Sequence, residues 1–535
     1  MKKLLALLLA FVMVFGLVAC GQTEEAQPEA EVDVESNVEN VGEEAPTVEE
    51  KDPVTITYYY RNDVGEQQYT QQVEDKLNEI LAQTEGYEYI SIDLVPCSSD
   101  FATEYTLAQT NGDQIDLIAT YSLDATTMVK NGDLMELSDL LAANPNVVSE
   151  IPEWLVEMGK IDGGQYFVPS YQQAGSFTFW TFPAEYAELY RQATGKTKED
   201  MTAMFAKADV TELLQFAEDL VMAVREGTGL STKYILELID FSRVANLEYV
   251  GVDWGNLLLF EGADEVVYFP CTEMYYEMES RKNEWYKADM IHPDAATYSW
   301  KDFNYANLLN SDESHVMNYL AGAVSVEDFA AAQTASNGFD MEAYQIGDHA
   351  YIASKWAAGG NAIYTECEHP QEAMMIIELL MTEKGKEFYN TLVWGLEGTH
   401  WEWEDEANER IKTLEFDATQ SNASCSYTAW KWELGNSFNA WKNQAVPDGS
   451  NEFILDNIHN AANTVASPVM GITWDLSSVE DQIAQCTAVD EEYLSLYTWD
   501  NFEEGYAEYM AKLEAAGVQD IVDCMNEQYQ AHLAG

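Results

Sequence analysis

Three short segments decide the fold: Val54-Thr-Ile-Thr-Tyr-Tyr-Tyr60, Tyr89-Ile-Ser-Ile-Asp-Leu-Val95 and Asp116-Leu-Ile-Ala-Thr120. Each is rich in β-branched, aromatic or other apolar residues over strand length, which predicts a strand. The stretches after them, 66–83, 98–112 and 125–141, carry apolar residues at helical spacing. This β-α-β-α-β-α order predicts an α/β fold with a parallel sheet covered by helices, and ligands of such sheets bind beyond the carboxyl ends of the strands.

The chain then leaves this α/β unit and returns to it. A short extended segment at 165–169 is followed by a long helical region that includes a strongly amphipathic stretch at 210–224. Extended structure is predicted again at 350–365, and a helix at 370–388. We therefore expect one α/β unit interrupted by a second, largely helical unit.

The net charge and the aromatic content of the chain indicate which kinds of ligand it can bind. The chain has 535 residues, with 26 Lys and Arg against 94 Asp and Glu, for a net charge of −68. So negative a field repels phosphate backbones and anionic headgroups, which excludes nucleic acid and electrostatic membrane binding. We expect a neutral or cationic ligand, and the 14 Trp, 31 Tyr and 20 Phe residues offer rings to bind it.

The N-terminus predicts an exported, lipid-anchored protein. Lys2 and Lys3 precede an apolar run too short to span a membrane, and the run ends in Leu17-Val18-Ala19-Cys20-Gly21. This end resembles the lipobox of bacterial lipoproteins. The resemblance implies a signal peptide at 1–19 and acyl chains, such as palmitate, on Cys20, which hold the protein on the extracellular side of the cell membrane. Residues 20–52 are acidic and predict a disordered tether.

Cysteine spacing favours free thiols. Besides Cys20 the chain has six cysteines at wide, irregular intervals and no Cys-x-x-Cys pair. An extracellular location permits disulfides, but a body of this size can simply bury thiols as small apolar groups. Pairing cannot be assigned from these spacings.

Several motifs, taken in order, resemble the extracellular solute-binding proteins of bacterial ABC importers, in the carbohydrate-type group. Asp162-Gly-Gly-Gln-Tyr-Phe-Val-Pro169 is similar to the segment with which that family crosses into its second lobe. Trp356-Ala-Ala-Gly-Gly-Asn361, followed by His369-Pro-Gln-Glu-Ala373, is similar to the return crossing. The segments 394–401, 467–475, 486–489 and 512–518 resemble the C-terminal module of LipO-type lipoproteins.

The resemblance implies a two-lobed, type II clamshell with a hinge and an interlobe cleft. It places lobe 1 at 53–170 and 346–395, and lobe 2 at 171–345 and 396–535. It also implies that a monomer captures a small-molecule solute by lobe closure and delivers it to the ABC permease subunits. No cofactor is implied.

The abundance of aromatic residues favours a sugar or oligosaccharide as the solute, because Tyr and Trp combine an apolar face with a polar edge. Trp430 and Trp432 alternate as on a strand and are expected to present one face. Arg61 could bind hydroxyls or a carboxylate. The candidates for the ligand site lie in turns after predicted strands or at the crossings: Tyr60, Arg61, Tyr121, Tyr171, Gln172, Trp254, Trp356, Asn361, Trp394, Trp430 and Trp432.

Signals for catalysis are weak, so we do not expect an enzyme. The chain contains no GxxxxGK[ST], HExxH or GxSxG motif. Glu366-Cys-Glu-His369 cannot close on one metal ion, because neighbours on an extended segment point to opposite faces. With so many acids, paired carboxylates of glycosidase type arise by chance. A surface glycan hydrolase and a receptor for peptides or cationic solutes remain the alternatives.

Overall fold

The computed structural model describes residues 51–207, 209–236, 247–250, 257–260, 263–297, 312–352, 359–414, 426–427, 429–444, 446–460, 462–470, 472 and 474–534. The chain divides into residues 1–51 and a compact unit, Asp52–Gly535, which holds every element below. The predicted signal peptide and Cys20 lie outside the described residues. Among the described helices, none is both long enough and apolar enough to cross a membrane.

The described strands, in chain order, are β1 Val54–Asp63, β2 Ile90–Ser98, β3 Leu117–Ala119, β4 Lys160–Ile161, β5 Gly164–Gln165, β6 Val168–Pro169, β7 Ser176–Pro183, β8 Lys233–Tyr234, β9 Leu247–Tyr249, β10 Leu257–Phe260, β11 Val266–Tyr268, β12 Ser314–His315, β13 Asn318–Gly322, β14 Met341–Ile352, β15 Gly360–Ile363, β16 Trp401–Asp405, β17 Arg410–Thr413 and β18 Thr464–Ala466.

The described α-helices are α1 Thr70–Gln83, α2 Phe101–Asn111, α3 Ala125–Asn131, α4 Ser138–Ala143, α5 Glu153–Glu157, α6 Ala184–Thr194, α7 Lys198–Lys207, α8 Val210–Thr228, α9 Glu273–Lys287, α10 Val326–Asn337, α11 Pro370–Met381, α12 Lys386–Trp394, α13 Lys431–Leu434, α14 Ser450–Phe453, α15 Glu480–Tyr493, α16 Phe502–Ala516 and α17 Val518–Ala534.

The first sheet has the strand order β2-β1-β3-β15-β6. Strand β1 runs parallel to β2 and β3, with Val54 opposite Ile90 and Tyr58 opposite Leu117. This confirms the predicted parallel β-α-β-α-β unit. Strand β15 joins antiparallel to both β3 and β6 when the chain returns. Residues on both faces of β1 are buried, as expected for a sheet covered on two sides.

The second sheet has the order β13-β7-β14-β18 and its own core. Strand β7 is antiparallel to β13 and β14, and β14 is parallel to β18. Helices α6, α7 and α8 bury apolar side chains in this core, where Phe205 stacks on Tyr344 with ring centroids 5.0 Å apart. The chain crosses from the first sheet to the second between β6 and β7 and returns between β14 and β15.

The last three helices build a third core. Tyr493 of α15 stacks on Tyr509 of α16 at 4.7 Å, with the rings within 11° of parallel. This core also takes up residues of the β9-β10-β11 sheet, and the hydroxyl of Tyr268 donates to the Asp490 carboxylate at 2.5 Å. The C-terminal region is therefore a helical module that packs on the body of the protein.

Three predicted elements differ from the structure. The helix predicted over 125–141 is two helices, because Gly132 takes a left-handed φ of 80° and ends α3. The helix predicted over 370–388 ends at Met381, where the extended Thr382 closes it. The prediction that Trp430 and Trp432 alternate on a strand is wrong: Trp430 precedes the short helix α13 and Trp432 lies within it.

The hairpin β16–β17 belongs to the first core. Trp401, Ile411 and Tyr427 are buried in the same cluster as β1 and β15. The lobe boundaries drawn from the sequence stay a prediction.

The described cysteines are free thiols. Cys97, Cys367 and Cys486 are buried, Cys524 is half-buried and Cys271 is exposed. Burial accounts for the first three, in agreement with the preference for free thiols drawn from the spacing.

Candidate functional site

The short helix α13 docks at the carboxyl ends of β1 and β3. The side-chain amide of Asn361 on β15 donates to the Leu434 carbonyl at 2.9 Å, and its oxygen accepts from the Tyr58 hydroxyl at 2.8 Å. The Ser170 hydroxyl donates to the Glu433 carbonyl at 2.7 Å. Buried hydrogen bonds of this kind fix α13 against the sheet edge at which ligands of open α/β sheets bind.

A polar group from β1 lies beside this helix. The Arg61 Nε contacts the Asp63 carboxylate at 2.5 Å, and its Nη1 donates to the Ser122 hydroxyl at 2.7 Å, in the 3-10 turn after β3. About a third of this ion pair is exposed, with 30% of the Arg61 side chain and 35% of the Asp63 side chain accessible. Arg61 is thus held in place by two partners while its outer part stays open to a ligand.

Glu433 of α13 is the buried acid of the site. The residue is 4% exposed, and its carboxylate accepts no hydrogen bond from any residue that the structure describes. Burial raises the pKa of Glu433 to about 7; Arg61 opposes this rise and Asp63 adds to it. Sequence reasoning missed this residue, because nothing distinguishes one Glu among so many before the fold sets its neighbours.

Tyr121 and Gln172 are two further polar residues near Glu433. Tyr121, in the turn after β3, is half-buried, and its hydroxyl interacts with the buried Gln172. Burial and the nearby Glu433 raise the pKa of Tyr121 to about 12, so it stays a neutral hydrogen-bonding group. The part of both residues in ligand binding stays a prediction.

The two tryptophans flanking Lys431 form an aromatic pair. The rings of Trp430 and Trp432 lie 4.4 Å apart with 56° between their planes, and both residues are half-buried. The Trp430 Nε1 is buried without a hydrogen-bond partner in the described structure. Although the predicted strand is wrong, the helix still brings the two indoles together.

Lys431 faces the other side of α13. Its ammonium lies 5.6 Å from the centre of the Trp394 ring, and burial lowers its pKa to about 8. Trp394 itself is 2% exposed in the first core, and Tyr60 is fully buried there, 5.4 Å from the Tyr58 ring. Together with Asn361 at 0% exposure, these predicted site residues support the site from beneath and present no surface to a ligand in this structure.

Tyr171 lies on the first crossing. Its amide donates to the Gly435 carbonyl at 3.0 Å, just after α13, and its half-buried ring stacks on His459 at 5.4 Å. His459 follows α14, which packs near the second sheet, so Tyr171 connects the two halves. The remaining candidates, Trp254 and Trp356, lie outside the described residues.

Comparisons with known proteins agree with this architecture. The family model described as "Domain of unknown function (DUF3502)" matches residues 468–534, in the region where the sequence resembles the LipO-type C-terminal module. This domain is known as the C-terminal module of carbohydrate-binding proteins of ABC transporters. No curated protein matches the sequence.

Solved structures match over most of the chain. The N-glycan transport solute-binding protein NgtS of Streptococcus pneumoniae is 18% identical, with a TM-score of 0.70 over 90% of this chain and 100% of its own. An extracellular solute-binding protein of Bifidobacterium longum subsp. infantis is 13% identical, with a TM-score of 0.58 over 90% and 98%. The EF-hand mutant of the S. pneumoniae ABC-transporter substrate-binding protein FusA, in complex with fructo-nystose, is 13% identical, with a TM-score of 0.55 over 90% of this chain and 99% of its own.

At these identities the likeness concerns the fold. It agrees with the two sheets, each with its own core, and with the two crossings between them. The predicted resemblance is confirmed at this level: the chain has the two-lobed α/β fold of extracellular solute-binding proteins.

Proposed function

We propose that this protein is the extracellular receptor of an ABC importer, and that it captures a sugar or oligosaccharide by lobe closure and delivers it to the permease. One observation carries the proposal: a tryptophan pair, an anchored arginine and a buried acid lie together at the carboxyl ends of the strands of the first sheet, where ligands of open α/β sheets bind. Flat indoles pack against pyranose C–H faces, and the polar groups can bind hydroxyls.

The similar structures supply the ligand chemistry to test. NgtS was solved in complex with Man1GlcNAc and with Man5GlcNAc, and FusA in complex with kestose. We propose that this chain takes a ligand of the same class, a neutral oligosaccharide. Calorimetric titration of Man1GlcNAc, Man5GlcNAc and kestose should show saturable binding to the purified protein for at least one of them.

The mixtures of protein and oligosaccharide from this titration also distinguish a sugar receptor from a glycan hydrolase. Chromatography after overnight incubation should return the oligosaccharide intact, whereas shorter products would identify a surface glycan hydrolase. A peptide and a polyamine, titrated in parallel, test the receptor for cationic solutes that the negative charge also allows. Ligand-induced compaction in small-angle scattering would support closure.

Trp430 and Trp432 are the residues whose removal should weaken binding most directly. An aromatic platform contributes about 0.5–1.5 kcal/mol beyond its buried area, so Trp430→Ala or Trp432→Ala should raise the Kd about threefold to tenfold. Trp474→Ala, which truncates a half-buried indole of the third core, is the matched control and should leave the Kd unchanged. Equal affinities in all three variants would contradict this placement of the site.

We also propose the lipid anchor at Cys20, with residues 20–52 as its tether, on the basis of the lipobox-like sequence. Cells grown with radiolabelled palmitate should incorporate label into the wild-type protein and none into Cys20→Ala. Label that persists in Cys20→Ala would contradict acylation at this residue.

A further inference from the structure

The carboxylate of Glu433 lacks a hydrogen-bond donor among the described residues. A buried carboxylate is nearly always hydrogen-bonded, because leaving it unpaired costs the solvation that it had in water. Glu433 is 4% exposed, and none of the described residues donates a hydrogen bond to its carboxylate, whose oxygens are not among the fully enclosed atoms and so keep a small contact with solvent. Its backbone, in contrast, is satisfied: the carbonyl accepts from Ser170 and the amide donates to the Trp430 carbonyl.

Among the residues that the structure describes, the two cations near Glu433 have other partners. Arg61 contacts Asp63 at 2.5 Å and donates to Ser122 at 2.7 Å, so it acts on Glu433 only through its field. Lys431 points to the Trp394 ring on the opposite side of α13. In the described part of the chain, the titratable groups on the elements around α13 are Tyr58, Arg61 and Asp63 from β1, Tyr121 from the turn after β3, Tyr171 from the crossing, Tyr389 from α12 and Lys431 from α13.

None of these groups gives the carboxylate a hydrogen-bond donor, whereas a bound oligosaccharide would bring several. We propose that Glu433 accepts a hydrogen bond from a hydroxyl of the bound oligosaccharide, and that ligand binding is thereby coupled to the loss of one proton from this carboxyl group to solvent. This inference rests on the proposed function. It assigns Glu433 as a ligand-binding residue that senses pH.

The direction of the effect follows from linkage. In the ligand-free protein the pKa of Glu433 is about 7, since burial favours the neutral acid. A ligand hydroxyl stabilises the carboxylate and lowers this pKa, so affinity must fall as the pH drops through 7. If the bound form stays ionised down to pH 6, the Kd should rise about tenfold between pH 8 and pH 6.

The experiment is calorimetric titration of Man1GlcNAc, Man5GlcNAc and kestose at pH 7 in phosphate and in Tris, whose ionisation enthalpies differ widely. The buffer dependence of the enthalpy gives the protons released, which should be about half a proton per ligand at a pH equal to the free pKa. Glu433→Gln should release none and should bind with a Kd that is flat from pH 6 to pH 8. Glu387→Gln, an exposed acid on α12, should behave as wild type.

A second measurement needs no ligand. The fluorescence of the adjacent tryptophans Trp430 and Trp432 should show a transition near pH 7 in the wild type and in Glu387→Gln. Glu433→Gln should lack this transition and keep only the one near pH 8 that Lys431 causes. Saturable binding without proton release, or an unchanged fluorescence titration in Glu433→Gln, would overturn the inference and leave the proposed function standing. Absence of binding by every oligosaccharide would overturn the proposed function, and the coupling with it.

Discussion

Replacing Glu433 by Gln should stabilise the ligand-free protein at neutral and alkaline pH. Burial moves the pKa of this carboxyl from 4.5 to about 7. At roughly 1.4 kcal/mol per pKa unit, the ionised form costs the folded state about 3 kcal/mol. Gln keeps the shape and the hydrogen-bonding groups and carries no charge, so the variant escapes this cost.

The sign follows from proton counts. Between pH 4.5 and 7 the folded protein holds the Glu433 proton more often than the unfolded chain does, so wild-type stability falls as the pH rises. The unfolding free energy of Glu433→Gln minus that of wild type should therefore grow by about 2.5 kcal/mol between pH 5 and pH 8. Taking the difference removes the pH dependence that the other acidic residues share.

Urea unfolding followed by tryptophan fluorescence at pH 5, 6, 7 and 8 measures this difference, with Glu387→Gln as the control. Parallel stability curves for wild type and Glu433→Gln would refute the reasoning, because they would mean that Glu433 ionises in the folded protein as it does in water. The same result would remove the electrostatic basis for a pH-sensing site.

Three other perturbations follow from the structure. Burial lowers the pKa of His400 to about 4, and its Nδ1 accepts a hydrogen bond from the Leu396 amide. NMR should therefore find the imidazole of the folded protein neutral at pH 6, and the free energy of unfolding should fall as the pH drops from 6.5 toward 4. Glu342→Gln should lower the free energy of unfolding by about 1.5–3 kcal/mol in urea at pH 7, because Glu342 accepts two hydrogen bonds from Arg191. Burial raises the pKa of Glu342, but these bonds lower it by more, so the net pKa is below its usual value and the loss should shrink in acid. Gly360→Ala should destabilise the protein by about 1–3 kcal/mol in the same assay, because its Cβ would lie 2.0 Å from the Val168 carbonyl oxygen.

The parallel part of the first sheet could be predicted because its signal is local. The alternation in 54–60 and the apolar run in 116–120 each mark a strand without reference to the rest of the chain. The place of Arg61 and Tyr121 then follows, because both stand directly after strands whose carboxyl ends share one edge. Local pattern and general topology are enough for this half of the site.

The other half depends on contacts between distant parts of the chain. Helix α13 reaches the sheet through Asn361 and Ser170, which lie 73 and 263 residues away from their hydrogen-bond partners on the helix. No period in the sequence records such a contact, and a four-residue helix is too short to leave an apolar pattern of its own. The sequence could therefore point to Trp430 and Trp432 as aromatic residues without predicting their helix or the burial of Glu433 near Arg61.

The abundance of aromatic residues does not by itself indicate a sugar site. In the structure many of these rings stack with one another inside the cores, as Phe205 does on Tyr344 and Tyr493 on Tyr509. Such rings stabilise the fold and leave little surface for a ligand. What separates the site from the cores is exposure: Trp430 and Trp432 are half-buried, whereas the stacked rings of the cores are buried. Only a ring that keeps part of its face open can pack against a sugar, so the half-buried pair beside the partly exposed Arg61 is a better indication of a site than the number of aromatic residues.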